Sequence, residues 1–275
     1  MRLLWRRFAH PAAVGAALLQ CSAMPTPFSH LKQSQCLLLD ARLPANMRSL
    51  LERRRSAFQL GSIIADARVT GGIGRELTHF YQLGEPITEA PWRVMFRRYP
   101  LLAQAKGDAH LAFLAGYVAH LALDEYWAVN MVRPHFWERE WDVSHWRDKL
   151  FALHLILTVM DERDQAELQT WQADSLTQCQ PQDWLPFLHD DILCDWRDFV
   201  SRQIAPGGTS QTLSIFSRRL GCDEAILRAV LDDPQQLLDR LWRHIPPRLL
   251  ADVEARAYAY TRQQLIHYLH EFAGF

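Results

Sequence analysis

From Gly107 to Met131 the chain reads GDAHLAFLAGYVAHLALDEYWAVNM, apolar at nearly every position and without a polar stripe at helical spacing. A helix that is apolar all round is one the protein surrounds, so this stretch predicts a central buried helix, with Asp108 a candidate N-cap. Upstream, the stretch from His30 to Asp40 is amphipathic and is followed by a turn at Leu43-Pro44. Met47, Leu50, Leu51 and Phe58 then give one apolar side to a helix over 45–60. Residues 67–78 are Gly-rich and read as a loop, and Trp92 to Tyr99 reads as a short helix stopped by Pro100.

Beyond the central helix, Pro134 is expected to end the element, because an interior proline lacks the N–H the helix needs. HFWEREWD (135–142) then connects to a helix capped by Ser144 and running to Glu162, with His154 in its apolar middle and Asp161 seven residues further on. Further helices are expected over 184–201, 213–220, 223–233, 235–244 and 247–272, with the clearest loop at APGGTS (205–210). No alternation of period two, internal repeat or low-complexity tract interrupts the series. The pattern predicts an all-α fold in a single domain.

Composition narrows the class. Hydrophobic residues make up 49% and charged residues 22%, enough to build a sizeable core. A formal net charge of −1 supplies no global field for nucleic acid or an anionic membrane. Arg53-Arg54-Arg55 and Arg97-Arg98 read as solvated helix faces. Cys21, Cys36, Cys179, Cys194 and Cys222 are scattered, odd in number and free of CxxC spacing, which fits reduced thiols in a cytoplasmic protein. Residues 1–23 begin with basic residues and continue into an apolar run. They read either as a signal peptide, which would make the protein secreted, or as an extension ahead of a start at Met24. No other segment reaches the ~18 uninterrupted apolar residues of a membrane span.

The candidate chemistry starts with His120 and Asp124, four residues apart and so on one face of the central helix. Buried polar groups need partners. A hydrogen bond within the core and a shared metal ion both satisfy the pair. Asp66 and His79 flank the Gly-rich segment, and His30 lies in MPTPFSHL. FSHL, GSIIADARVTGGIGRELTHF and FLAGYVAHLALDEYW, in that order, resemble the zinc-dependent phospholipase C family, whose fold is related to the S1/P1 nucleases. The resemblance covers about Met24 to Trp127 and fades beyond.

The resemblance implies a multi-helix bundle of phospholipase C / P1 nuclease type over residues 24–275, holding one to three Zn2+ ions. His79, His120 and Asp124 match metal ligands, Asp66 a metal-binding carboxylate and candidate general base, and His30 a further ligand. The implied activity is hydrolysis of a small phosphodiester or phospholipid head group by metal-activated hydroxide, with no specific nucleic acid partner. Two departures stand out. No tryptophan lies between Trp5 and His30 to act as the family's N-terminal ligand, and the segment following Asp124 lacks the family's HxxxE pair. The nearest substitutes are His135, Glu138, His154 and Asp161, of which His154 is preferred as an extra metal ligand, although its apolar neighbours equally fit a core histidine. Alternative readings are a nuclease or phosphatase on the same site, with Trp92, Trp127 and Trp137 as stacking groups, and a non-enzymatic helical metalloprotein.

Overall fold

The computed structural model describes residues 24–142 and 146–275. The expectations for residues 1–23 and for Ser144 as a cap lie outside the described residues. Within them the chain is all-α, one domain of helices with no strand.

Helix α1 spans Pro27–Leu39, α2 Ala45–Arg53 and α3 Arg55–Ile63, the last two interrupted only at Arg54. A 3₁₀ turn at Ile64–Ala67 and two short helical segments, Arg68–Gly71 and α4 at Arg75–His79, occupy the segment expected to be a loop. Its glycines do serve as breaks: Gly72 ends the first segment at φ +64°, which costs glycine little. Helix α5 is Pro91–Arg98 and α6, the central helix, is Asp108–Trp127. Asp108 is its first residue rather than its cap; Gly107 takes the cap position at φ +94°.

Pro134 does not end the central element. The chain continues from α6 as a π-helical segment, Ala128–Glu138, with Pro134 inside it. The wider π turn breaks the regular i→i−4 ladder that proline would otherwise disrupt. Helix α7 is Trp146–Glu167, α8 Trp171–Thr177, α9 Asp190–Ile204, α10 Thr212–Leu220, α11 Glu224–Asp232 and α12 Pro247–Ala273. The helix expected from Trp184 therefore starts at Asp190, and Trp184 is a buried core residue ahead of it.

As its composition demands, α6 is covered on all sides, most extensively by α3 and α12, with α5 and α1 alongside. Two hydrophobic clusters form. The first includes α1 to α3, α5 and α6 as far as Leu121; the second takes in Trp127, the π segment and the middle of α7. His120 and Asp124 fall where α6 passes from one cluster to the other.

The closest approach in this packing is between α3 and α6. A β-carbon on Gly61 would overlap the carbonyl oxygen of Phe113, and one on Gly116 would overlap that of Phe58. The two helices therefore meet backbone to backbone, which only glycine at both positions allows. Gly116→Ala tests this contact. Alanine gains about 1 kcal/mol in helix propensity, but the overlap forces the helices apart and is expected to cost about 2–3 kcal/mol net. Urea denaturation should show the midpoint falling; an unchanged midpoint would exclude the close crossing.

Candidate metal centre

Four elements deliver the five residues expected to converge. His30 comes from the first turn of α1, Asp66 from the 3₁₀ turn, His79 from the end of α4, and His120 and Asp124 from α6. All five are buried. They form two overlapping groups of donors, His30–His120–Asp124 and Asp66–His79–His120, with the ligand atoms of each group within 4.8 Å of one another. His30 stacks on His120 with ring centroids 3.8 Å apart, and His79 meets His120 edge-on at 5.3 Å.

A hydrogen bond behind the ring sets the tautomer of His120. Its Nδ1 lies 2.8 Å from the carbonyl oxygen of Ser62, which can only accept, so Nδ1 carries the proton and Nε2 the lone pair. The Thr78 hydroxyl lies 2.9 Å from Nδ1 of His79 and is able either to donate to it or to accept from it, so His79 can present Nε2 to the centre with a proton or with a lone pair. The two Nε2 atoms are 3.4 Å apart. Burial holds both imidazoles neutral: His79 is lowered to about 4, helped by the nearby Arg75 charge, and His120 to about 3, helped by His30.

A metal ion between the two Nε2 atoms would serve both at once. The surrounding distances fit one. His79 Nε2 is 3.5 Å from Asp66 Oδ1 and 3.4 Å from Asp124 Oδ2, and His120 Nε2 is 3.8 Å from the same Asp124 oxygen. Tetrahedral zinc with ligand bonds of about 2.0–2.2 Å separates its ligand atoms by about 3.3–3.6 Å. Among the described residues neither ring nitrogen of His30 has a hydrogen-bond partner, nor has Asp124 Oδ1, which stands 3.4 Å from His30 Nε2. The residues present therefore fit a metal ion by donor type, spacing and unmet polar capacity. Burial pushes both carboxyls up, but a hydrogen bond from His79 for Asp66, and the charge and hydrogen bond of Arg75 for Asp124, work against it, and both are held well below the usual range.

Asp66 differs from the other four in its outlook. It lines a cavity of about 530 Å³ whose walls include Met24, Phe28, Trp196 and Phe216, with Arg218 and Arg219 also on the lining. Of the five donors, only Asp66 is on the wall of this cavity.

His154 is not part of the centre. Its Nδ1 is 2.8 Å from the Leu150 carbonyl, its ring stands edge-on to Phe216 at 4.8 Å, and it joins neither donor group. The apolar surroundings that made it ambiguous in sequence mark it as a core residue. Asp161 is also elsewhere, with Ser210 donating to it at 3.1 Å. An HxxxE pair does follow Asp124 far downstream, His267 and Glu271 on α12, but both are exposed and Glu271 pairs with Arg93 at 2.9 Å. Ser62, Thr78 and Arg75 were missed. A carbonyl leaves no trace in residue type, whereas Arg75, four residues before His79, carried a readable signal of shared helical face.

His154 yields a pH test that leaves the centre intact. Burial, reinforced by Arg219, lowers it from 6.5 to about 4. The unfolded chain takes up this proton near 6.5 and the folded chain only near 4, so the histidine's contribution to stability is lost as pH falls across that interval. In urea melts at pH 7 and pH 5, His154→Leu should lose about 1–2 kcal/mol less stability than wild type over that drop. An identical loss in both proteins would mean His154 titrates normally.

No family model, curated protein or solved structure matches the chain, so what the centre does rests on its own donor set.

Proposed function

We propose that the chain is a zinc-dependent phosphodiester hydrolase of phospholipase C type, acting on a small phosphodiester or phospholipid head group. The observation that carries this reading is the convergence of the buried Nε2 atoms of His79 and His120, 3.4 Å apart and flanked by Asp66 and Asp124. His79, His120 and Asp66 would hold the ion, with Asp124 and His30 completing the donor set. When bound, zinc supplies Lewis acidity that activates water and offsets negative charge growing on phosphoryl oxygens.

The protein's own groups supply the rest. The Ser62 carbonyl and Thr78 hydroxyl orient the two imidazoles by hydrogen bonds at Nδ1, the outer support that ligating histidines require. Asp66 faces the cavity and stays ionised, so it accepts a hydrogen bond from an attacking water and aligns it. A carboxylate held this far below its usual range orients better than it abstracts, since proton transfer is most effective when the base titrates near the working pH. The aliphatic and aromatic cavity wall excludes bulk water, and Arg218 and Arg219 favour an anionic group.

Of the three stacking groups the nuclease alternative relies on, two are withdrawn from the surface, and the third, half-buried Trp137, lines a separate small pocket beside Tyr81. Trp92 and Trp127 are fully buried, and the Trp92 indole donates to Gln264 at 2.9 Å.

Metal analysis together with hydrolysis of p-nitrophenyl phosphorylcholine tests the proposal. Chelation should abolish turnover and zinc should restore it. Asp66→Asn should retain the fold and lower kcat by about 10²-fold or more, because an amide oxygen is a weaker acceptor for the water. Metal-loaded protein inactive on this ester and on phospholipid would reduce the centre to a structural role, and full activity of Asp66→Asn would remove Asp66 from the chemistry.

A further inference from the structure

We infer that Arg75 is a resident cation of this centre, holding one oxygen of Asp124 in place of a further metal ion and offering its remaining N–H groups to the phosphoryl oxygens of the substrate. This rests on the metal-dependent reading above and specifies how many ions the centre takes and what grips the anion.

Arg75 and His79 sit four residues apart on α4 and so reach the same space. The Arg75 Nη2 group donates to Asp124 Oδ2 at 2.7 Å and to the Tyr81 hydroxyl at 2.7 Å, while its guanidinium carbon lies 5.2 Å from the centre of the Tyr81 ring. Two hydrogen bonds and a ring face hold the group in place. Its Nε and Nη1 are buried and have no acceptor among the described residues. Arginine presents five N–H donors in a rigid fork that matches two oxygens of a phosphate. A guanidinium with one arm anchored and two nitrogens uncommitted is therefore set up for a tetrahedral oxyanion. Arg68, whose Nε likewise has no acceptor, adds to the positive field.

The donor count points the same way. His120 belongs to both donor groups, but with Nδ1 committed to Ser62 it has one lone pair to give. Both groups cannot close around separate ions through that one atom. Asp66 and Asp124 are the only carboxylates in the two groups, and the Arg75 charge already offsets one of them. One divalent ion beside one guanidinium leaves a net positive centre, suited to an anionic substrate, without a second metal.

The test measures zinc stoichiometry, zinc affinity by chelator competition, and inorganic phosphate affinity of the zinc-loaded full chain, for wild type, Arg75→Gln and Arg75→Lys. Wild type should hold one zinc. Arg75→Gln should bind zinc about tenfold more tightly, because Asp124 Oδ2 is released and a like charge removed, and bind phosphate about tenfold more weakly. Opposite signs separate this role from a merely structural one, since loosening the site would weaken both. Two or more zinc ions in wild type, or phosphate affinity unchanged in Arg75→Gln, would overturn the inference. If Arg75→Gln shows no cooperative melt, Arg75→Lys decides: it keeps the charge and loses the fork, so one zinc with several-fold weaker phosphate binding supports the role, and wild-type phosphate binding refutes it. A chain that takes up no zinc defeats the metalloenzyme reading and this inference together, whereas a one-zinc hydrolase indifferent to Arg75 defeats the inference alone.

Discussion

The contact between Gly61 on α3 and Gly116 on α6 places two backbones against each other, and the candidate centre is built on that placement. With the helices this close, the carbonyl of Ser62, next to Gly61, reaches Nδ1 of His120, one turn along from Gly116. The same approach carries the chain leaving α3 directly into the turn that bears Asp66. A methyl group between the helices would move the carbonyl away from the ring and the carboxylate away from the donors. Metal ligands need positioning to about 0.5 Å, and a close-packed backbone crossing is stiffer than one cushioned by long side chains.

Given that frame, the electrostatics follow from burial. Imidazoles out of water stay neutral and carboxylates out of water stay ionised only when cations or donors surround them. Here the fixed tautomer of His120 turns a lone pair inward, and the two aspartates add negative charge to the same space. Arg75 meets part of that demand from within the fold. An ion bound to the remainder would tie binding to stability, since a donor set assembled only in the folded state converts binding free energy into folding free energy.

Much of this was readable from residue order because the largest signals are one-dimensional. An apolar run with no polar stripe means enclosure, and HxxxD within it means two ligands on one enclosed face. Asp66 and His79 followed from pattern order rather than from any local rule, and the structure brings them to His120 and Asp124. What could not be read depends on backbone placement. The Ser62 carbonyl that fixes His120 looks like any other. The Gly-rich segment reads as a loop because glycine weakens helices, yet short helical turns form between the glycines, and one carries Arg75 and His79 together. Pro134 misled for a related reason: the rule that proline ends a helix assumes an i→i−4 ladder, and the chain had already widened into a π turn.

His154 shows where residue type alone fails. In sequence it differs little from His120: both are histidines in apolar helices, both with a carboxylate nearby. In the fold both are fully buried, both rings bond a carbonyl through Nδ1, and both are kept neutral. The difference lies in what faces the other nitrogen. Nε2 of His120 looks across 3.4 Å at Nε2 of His79, whereas Nε2 of His154 meets no donor among the described residues and the ring packs against Phe216. One unmet nitrogen against an aromatic ring is a local cost that a core can carry. Several unmet atoms converging on one point cannot relax independently, because each blocks the movement that would satisfy the next. Convergence, rather than the presence of any one histidine, therefore distinguishes a ligand set from a core residue in this fold.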